Sequence, residues 1–249
     1  MWPCCCLGNA TTTAVARKST ARFGRSTGKK CLGASCRRCI EGAQSMSRDS
    51  IDLASVDQVL ATARSVRRRL DFDRPVAQAE ILDCINLATQ APTGLGGESW
   101  RFVVVTDPGV KRRLAALYQQ ALEELVVARG VEIKPTQQAL VARLHEIPAM
   151  ILVCNLGLPP DAGIAGQVGY FGSILPAAWS LMLALRARGI GATWTSLLAA
   201  RQAEVAAVVD LPEDALLTVM LPIAYTKGAN LRPAKRLDAR AVTFADRWG

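Results

Sequence analysis

The six residues Arg64-Ser65-Val66-Arg67-Arg68-Arg69 are the densest group in this chain with the means to do chemistry. Two guanidinium forks around one hydroxyl, Arg64 and Arg67 about Ser65, suit a phosphate dianion. A solvated helix end has the same composition, and these residues alone leave both readings open. A second basic pair, Lys235-Arg236, stands near the carboxyl end. If folding brings it beside Arg64 and Arg67, one phosphate is held from both ends of the chain. Other chemistries find less support. With a single histidine, His145 beside Glu146, neither a Ser-His-Asp triad nor a multi-histidine metal site is indicated, and His145 is expected at the surface. The loops Gly94-Leu95-Gly96-Gly97 and Gly189-Ile190-Gly191 do not complete the dinucleotide pattern G-x-G-x-x-G, and no G-K-[ST] phosphate loop occurs. Cys31-x4-Cys36-x2-Cys39 lacks a fourth metal ligand nearby.

The elements that must position the arginines are legible from apolar spacing. A helix is expected from Val56 into the basic cluster and another over 78–90, with Ile81, Leu82, Ile85 and Ala88 along one stripe. Trp100–Thr106, Ala149–Leu156 and Leu216–Tyr225 read as core strands. Pro108 opens a long helix carrying Leu114, Leu117, Tyr118, Ala121, Leu122 and Leu125 at a 3.6-residue period. Shorter helices are expected over 137–144 and 201–210, with loop over 158–169. From Ile174 to Leu185 the chain is apolar on nearly every side, which predicts a helix buried all round. It stops at Arg186-Ala187-Arg188-Gly189 and feeds a hydroxyl-rich strand end, Ala192-Thr193-Trp194-Thr195-Ser196. The fold class expected is α+β, with a mixed central sheet flanked by helices.

Charge and cysteine divide the chain at residue 47. Of its 30 Lys and Arg and 21 Asp and Glu, eight and one fall in residues 1–47, so residues 48–249 carry only +2 of the net +9. The high pI is therefore no nucleic-acid signal, and no nucleic-acid partner is expected. Six of the eight cysteines also lie in the first segment; Cys84 and Cys154 read as free buried thiols of a reducing compartment, the cytoplasm. Residues 1–47 have no periodic apolar pattern and are expected to be a disordered basic, Cys-rich extension. Their Ser/Arg-rich composition also suits an organelle transit peptide, but the preferred expectation is that translation starts naturally at Met46. That segment contains no apolar run of membrane-spanning length, and no membrane partner is expected.

Taken in order, A-R-S-V-R (63–67), A-P-T-G (91–94), W-R-F-V-V-V-T-D-P (100–108), G-I-G-A-T-W-T (189–195), A-Y-T-K-G (224–228) and the basic pair 235–236 resemble the FMN-dependent nitroreductase family, from about residue 55 to the end. The resemblance implies an entwined α+β homodimer with FMN at the subunit interface. It also implies hydride transfer from NAD(P)H through the flavin to a small electron-poor acceptor, nitroaromatic or quinone, in a ping-pong cycle. Carried over, Arg64, Ser65 and Arg67 match the segment on the phosphate and ring, and Thr93 a hydroxyl supplied near the flavin by the partner subunit. Trp194, Thr195 and Ser196 match the strand end beside the ring, and Arg236, with Lys235, the carboxyl-terminal cation on the phosphate. No side-chain acid or base is implied, which suits a chain with one histidine. The chain departs from the family at Gly96, Glu98 and Ser99, where Asn, Gln and Pro are common. Those changes bear on the reductase activity more than on flavin binding, so a flavin-holding protein with little turnover is the alternative.

Overall fold

The arrangement of this protein, a computed structural model, is described for residues 51–94 and 97–249. The expectations for residues 1–47, for the Cys31/Cys36/Cys39 cluster, for a start at Met46 and for Gly96 lie outside those residues.

Local signals fix several helix ends. Helix α1 (Leu53–Thr62) starts where the Asp52 side chain accepts from the Ala54 N–H at 3.1 Å, satisfying an N–H with no partner inside the helix. Helix α3 (Pro108–Arg129) has the Asp107 carboxylate accepting from Val110 N–H at 2.8 Å, proline in the first turn, and Gly130 at φ 60° as its stop. Between them lie strand β1 (Leu70–Asp71), helix α2 (Gln78–Ala88) and strand β2 (Trp100–Val105). Helix α4 (Pro135–Ala142) and a 3-10 turn, Leu144–Glu146, lead to strand β3 (Ala149–Leu156). Helix α5 (Gly163–Ala187), strand β4 (Ile190–Ala192), helix α6 (Gln202–Val209) and strand β5 (Ala215–Thr226) complete the regular elements before an irregular tail.

The sheet runs β1-β5-β3-β2, with β4 paired to the carboxyl-terminal end of β5. The α+β class is as expected, but every strand pairing among the described residues is antiparallel rather than mixed. The connections explain this. Between β2 and β3 the chain runs out along α3 and returns through α4, so β3 starts opposite the end of β2 (Met150 faces Val105). Between β3 and β5 it runs out along α5 and returns past α6. Two passes bring a chain back to the end it left, and antiparallel pairing follows.

Strand β3 is the centre. Ala149, Ile151 and Val153 face a core built from α2 and α5, while Met150, Leu152 and Cys154 face one built from α3 and the 3-10 turn Leu144–Glu146; Ala149 is 1% exposed and the other five 0%. Both faces are covered, so the unbroken apolar run has nowhere to alternate with polar residues. Burial disfavours the thiolate and pushes the Cys154 thiol up to about 12.

Two expectations change. The stretch 158–169 is only partly loop, because α5 begins at Gly163, eleven residues before the apolar run. The glycines there lower helix propensity, but Gly166 has a packing reason: a Cβ on it would stand 2.7 Å from Ala162 Cβ and 3.1 Å from Pro160 Cγ. Nor is α5 buried all round. Ile174, Ala177, Ala178, Leu181 and Leu185 are fully buried, but Ile164, Val168 and Trp179 are open to solvent. A helix laid against one sheet face and α2 covers only the stripe that faces them. By length and composition α5 could cross a membrane; in this fold its apolar residues make the core of one layer.

Candidate functional site

The segment after α1 carries the basic cluster, and it is fastened at both ends. Val66 N–H donates to Ala192 O at 2.9 Å, and Thr193 Oγ1 donates to Val66 O at 2.7 Å. Ser65 Oγ accepts from Trp194 N–H at 2.9 Å. Three residues on, Arg69 adopts a left-handed conformation, φ 55°; its carbonyl accepts from Lys227 N–H at 2.7 Å and its guanidinium donates to Gly228 O at 2.9 Å. A non-glycine residue held there is strained and must be over-determined by its neighbours. Lys227 also pairs with Asp71 at 2.9 Å and Asp73 at 3.2 Å, and its hydrogen bond holds the Asp71 carboxyl below its ordinary range.

Close packing lets the two motifs meet. A Cβ on Gly191 would lie 3.0–3.1 Å from Thr226 Cγ2, Leu70 Cδ2 and Val66 Cβ. The glycine of G-I-G-A-T-W-T therefore serves approach between strands rather than phosphate contact.

This fastening leaves a cavity of about 400 Å³ lined by Arg64, Ser65, Val66, Arg67, Arg68 and Arg69 on one side and by Thr136, Ala229, Asn230 and Leu231 on the other. Among the described residues, Arg64, Arg67 and Arg68 have no carboxylate within salt-bridge distance. Arg64 Nε is buried with no hydrogen-bond partner. A guanidinium N–H without an acceptor costs on the order of 1–3 kcal/mol, and the residue that carries it lines the cavity. Concentrated positive charge with donors already placed is what a phosphate group requires.

One apolar hollow meets the cavity at Ser65, and a second shares Trp194 and Leu175 with the first. One, about 570 Å³, adds Ser65, Pro176, Trp179 and Met182. The other, about 460 Å³, adds Phe171, Ser196, Ala199, Gln202 and residues 216–219. Ser65 thus stands at the border between the arginine cavity and an apolar wall, a change of character that suits a ligand with a charged end and a flat apolar end.

The remaining candidates fall as follows. Thr195 is buried and bridges to Met220, its hydroxyl accepting from Leu197 N–H at 3.4 Å, so it shapes the strand end from within. Thr93 is exposed in the loop ahead of β2. Lys235 and Arg236 are exposed on the tail and do not line the arginine cavity; this single chain does not bring them to Arg64 and Arg67. The tail lines the cavity as far as Leu231 and residues 232–249 are exposed, so convergence would need a second copy. Glu98 is exposed, with its backbone carbonyl accepting from Arg101 at 3.2 Å. Ser99 donates to the buried Asn155 side chain at 2.5 Å. His145 lies at the surface beside Glu146, as expected. Thr193, absent from the expected set, fixes Val66 as firmly as Ser65 fixes Trp194; its place in the alternation of the Thr-rich strand end was the available signal.

A model of the nitroreductase family matches residues 60–225. The chain is 29% identical over 202 residues to iodotyrosine deiodinase of Drosophila melanogaster, spanning 75% of this chain and 69% of that one. It is 27% identical over 193 residues to iodotyrosine deiodinase of Thermotoga neapolitana, spanning 74% and 97%. Among solved structures, oxidized iodotyrosine deiodinase bound to FMN and 3-iodo-L-tyrosine superposes with a TM-score of 0.58 at 21% identity, over 75% of this chain and 98% of that one. The matched segment takes in the arginine cluster, the glycine-permitted strand crossing and the whole sheet from β1 to Tyr225, and on that extent the chain belongs to the nitroreductase family.

Proposed function

We propose that this protein is an FMN-dependent oxidoreductase, a homodimer, that takes hydride from NAD(P)H and delivers it to a small electron-poor acceptor, a nitroaromatic or a quinone. The observation that carries the reading is the buried, unpartnered Arg64 Nε in an arginine-lined cavity directly beside the Trp194 strand end. When held there, FMN supplies a two-electron carrier that accepts hydride from one substrate and passes it to another. Arg64 and Arg67 would hold its phosphate, and Ser65 would keep the Trp194 backbone at a fixed distance from them. The charge of Arg67 favours the more negative of the cofactor's two states. Trp194 and Ser196 would wall the flat end, with Thr93, Lys235 and Arg236 completing the site across the dimer. Buried, unpaired Cys84 and Cys154 suit a reducing compartment, and the cytoplasm is the proposed location.

The two relatives named as iodotyrosine deiodinases favour a second reading, reductive removal of iodide from a halogenated tyrosine at the same flavin. A flavin holder with little turnover is the remaining alternative. Purified protein with one FMN per chain is incubated with NADH or NADPH and a nitroaromatic, a quinone or 3-iodotyrosine. Nicotinamide oxidation with the first two supports the proposal, iodide release under chemical reduction supports the second reading, and full FMN occupancy without either supports the holder. Arg67→Glu places an anion against the phosphate and is expected to raise the FMN Kd roughly a hundred-fold, read by flavin fluorescence. Unchanged affinity removes Arg67 from the site.

A further inference from the structure

The apolar hollow of about 460 Å³ contains one group that the flavin reading does not use. Strand β5 carries a bulge: Val153 pairs with Val219 and Cys154 with Leu217, so Thr218 has no opposite residue. Across it the alternation changes phase. Leu217 belongs to the core on the α3 side, whereas Val219, Leu221 and Ile223 face the α5 side. Bulges of this kind re-aim a side chain and recur beside binding sites. Thr218 stands in the wall of the hollow at 6% exposure, and its hydroxyl has no hydrogen-bond partner.

The other polar wall residue deep in the hollow, Gln202, has nothing to spare. Its amide donates to Ala199 O at 2.9 Å and Leu217 O at 2.8 Å, and its carbonyl accepts from Leu217 N–H at 2.9 Å. Around these stand Phe171, Leu175 and Trp194, two of them aromatic. A largely apolar pocket of several hundred Å³ with one unsatisfied polar group suits a ligand of matching pattern, apolar over its faces with a polar group at its edge. A step about χ1 exchanges the Thr218 methyl and hydroxyl and brings the oxygen to the cavity side.

We propose that this hollow is a binding pocket for a planar aromatic ring with a phenolic or nitro oxygen at its edge, with Thr218 Oγ1 as that oxygen's hydrogen-bond partner and Trp194 and Phe171 as the apolar walls. As the acceptor pocket of the enzyme it rests on the flavin reading, since Trp194 and Ser196 are the residues shared with the proposed flavin site; as a binding pocket it stands on the single chain.

The full-length protein is titrated with 4-nitrophenol and, separately, with toluene, which has the ring without the oxygen, by calorimetry and with no flavin present. Wild type and Thr218→Val are compared, valine keeping the shape and removing the hydroxyl. The Kd for 4-nitrophenol is expected to rise about two- to ten-fold in Thr218→Val, the range of one neutral hydrogen bond, while that for toluene stays the same. Ala199→Leu, which narrows the hollow, is expected to weaken both ligands. Equal 4-nitrophenol affinity in wild type and Thr218→Val overturns the proposal, as does the absence of 4-nitrophenol binding to the wild type, the result expected if a second copy of the chain fills the hollow. FMN binding is measured on the same preparations. Its absence beside intact, Thr218-dependent 4-nitrophenol binding fails the flavin reading and leaves the pocket supported.

Discussion

Cys154 and Arg64 occupy similar positions in the bonding scheme of this protein and differ in what they imply. Both are taken from water by the fold, but the thiol meets apolar neighbours on the β3 face, while the guanidinium opens onto a cavity. Burial holds the Cys154 proton up to about 12, so the thiolate that attacks an electrophile is almost absent at pH 8. Cys154 is therefore expected to escape iodoacetamide in the native protein at pH 8 and to be alkylated fully in denaturant, as read by peptide mass mapping; native labelling would show that β3 opens. The sign of the pH effect follows. The folded state keeps this proton where the unfolded chain begins to lose it, near an ordinary thiol value of about 9, so stability falls as pH rises from there toward 12. Of the candidate site at this scale, the arginine cluster and Ser65 stand out by residue type, though that type alone fits a solvated helix end equally well. Thr193 does not stand out, because its role depends on a backbone carbonyl, Val66 O, that no side-chain pattern records. Thr218 was hidden for a related reason: apart from Thr218 itself, Leu216–Ala224 has no polar side chain to mark a phase change, and a bulge is a property of the pair of strands.

Strands and helices were legible where burial was uniform and obscure where glycine intervened. The run Ala149–Leu156 matches β3 to the residue because a strand covered on both faces is apolar along most of its length, and its one polar residue, Asn155, is buried and bonded to Ser99. The start of α5 was missed because Gly163, Gly166, Gly169 and Gly172 weigh toward loop, and packing against Pro160 outweighs that preference. The mixed sheet was a guess about connections, which local pattern does not reveal. Gly191 shows the same dependence on packing at the element that builds the site. Its missing Cβ is what allows β4, the segment through Val66 and Leu70, and the end of β5 to lie together. Gly191→Val puts branched carbon into that contact, and overpacking of this kind costs about 1–3 kcal/mol. The thermal midpoint is expected to fall by roughly 2–4 °C for each kcal/mol, and FMN binding to weaken with it, because Ser65 and Trp194 lose their common register. A variant with wild-type midpoint and FMN affinity would show that the strand crossing does not position the arginines.

On the scale of the whole molecule, exposed apolar side chains motivate the proposed homodimer. Ile51, Leu53, Val56 and Leu60 are exposed on and just before α1, Trp179 on α5, and Leu237, Val242, Phe244 and Trp248 along the tail. Singly such residues mean little, but groups on one helix and its neighbours mark an interaction surface. The same reasoning bears on the cations that this chain leaves apart. Lys235 and Arg236 lie on the tail beyond the wall of the arginine cavity, so a tail laid across a second copy is the arrangement that returns them to a phosphate. Trp179 lines the apolar hollow that borders Ser65, so the proposed contact between copies would lie against the proposed flavin site. In sedimentation at micromolar concentration the wild type is expected to be a dimer and Trp179→Glu a monomer, because the interface would have to bury an unpaired carboxylate. If the site is shared, that monomer also loses FMN although every arginine is intact. A monomeric variant that keeps full FMN affinity would confine the phosphate site to one chain, and a monomeric wild type would leave Thr93, Lys235 and Arg236 with no route to it.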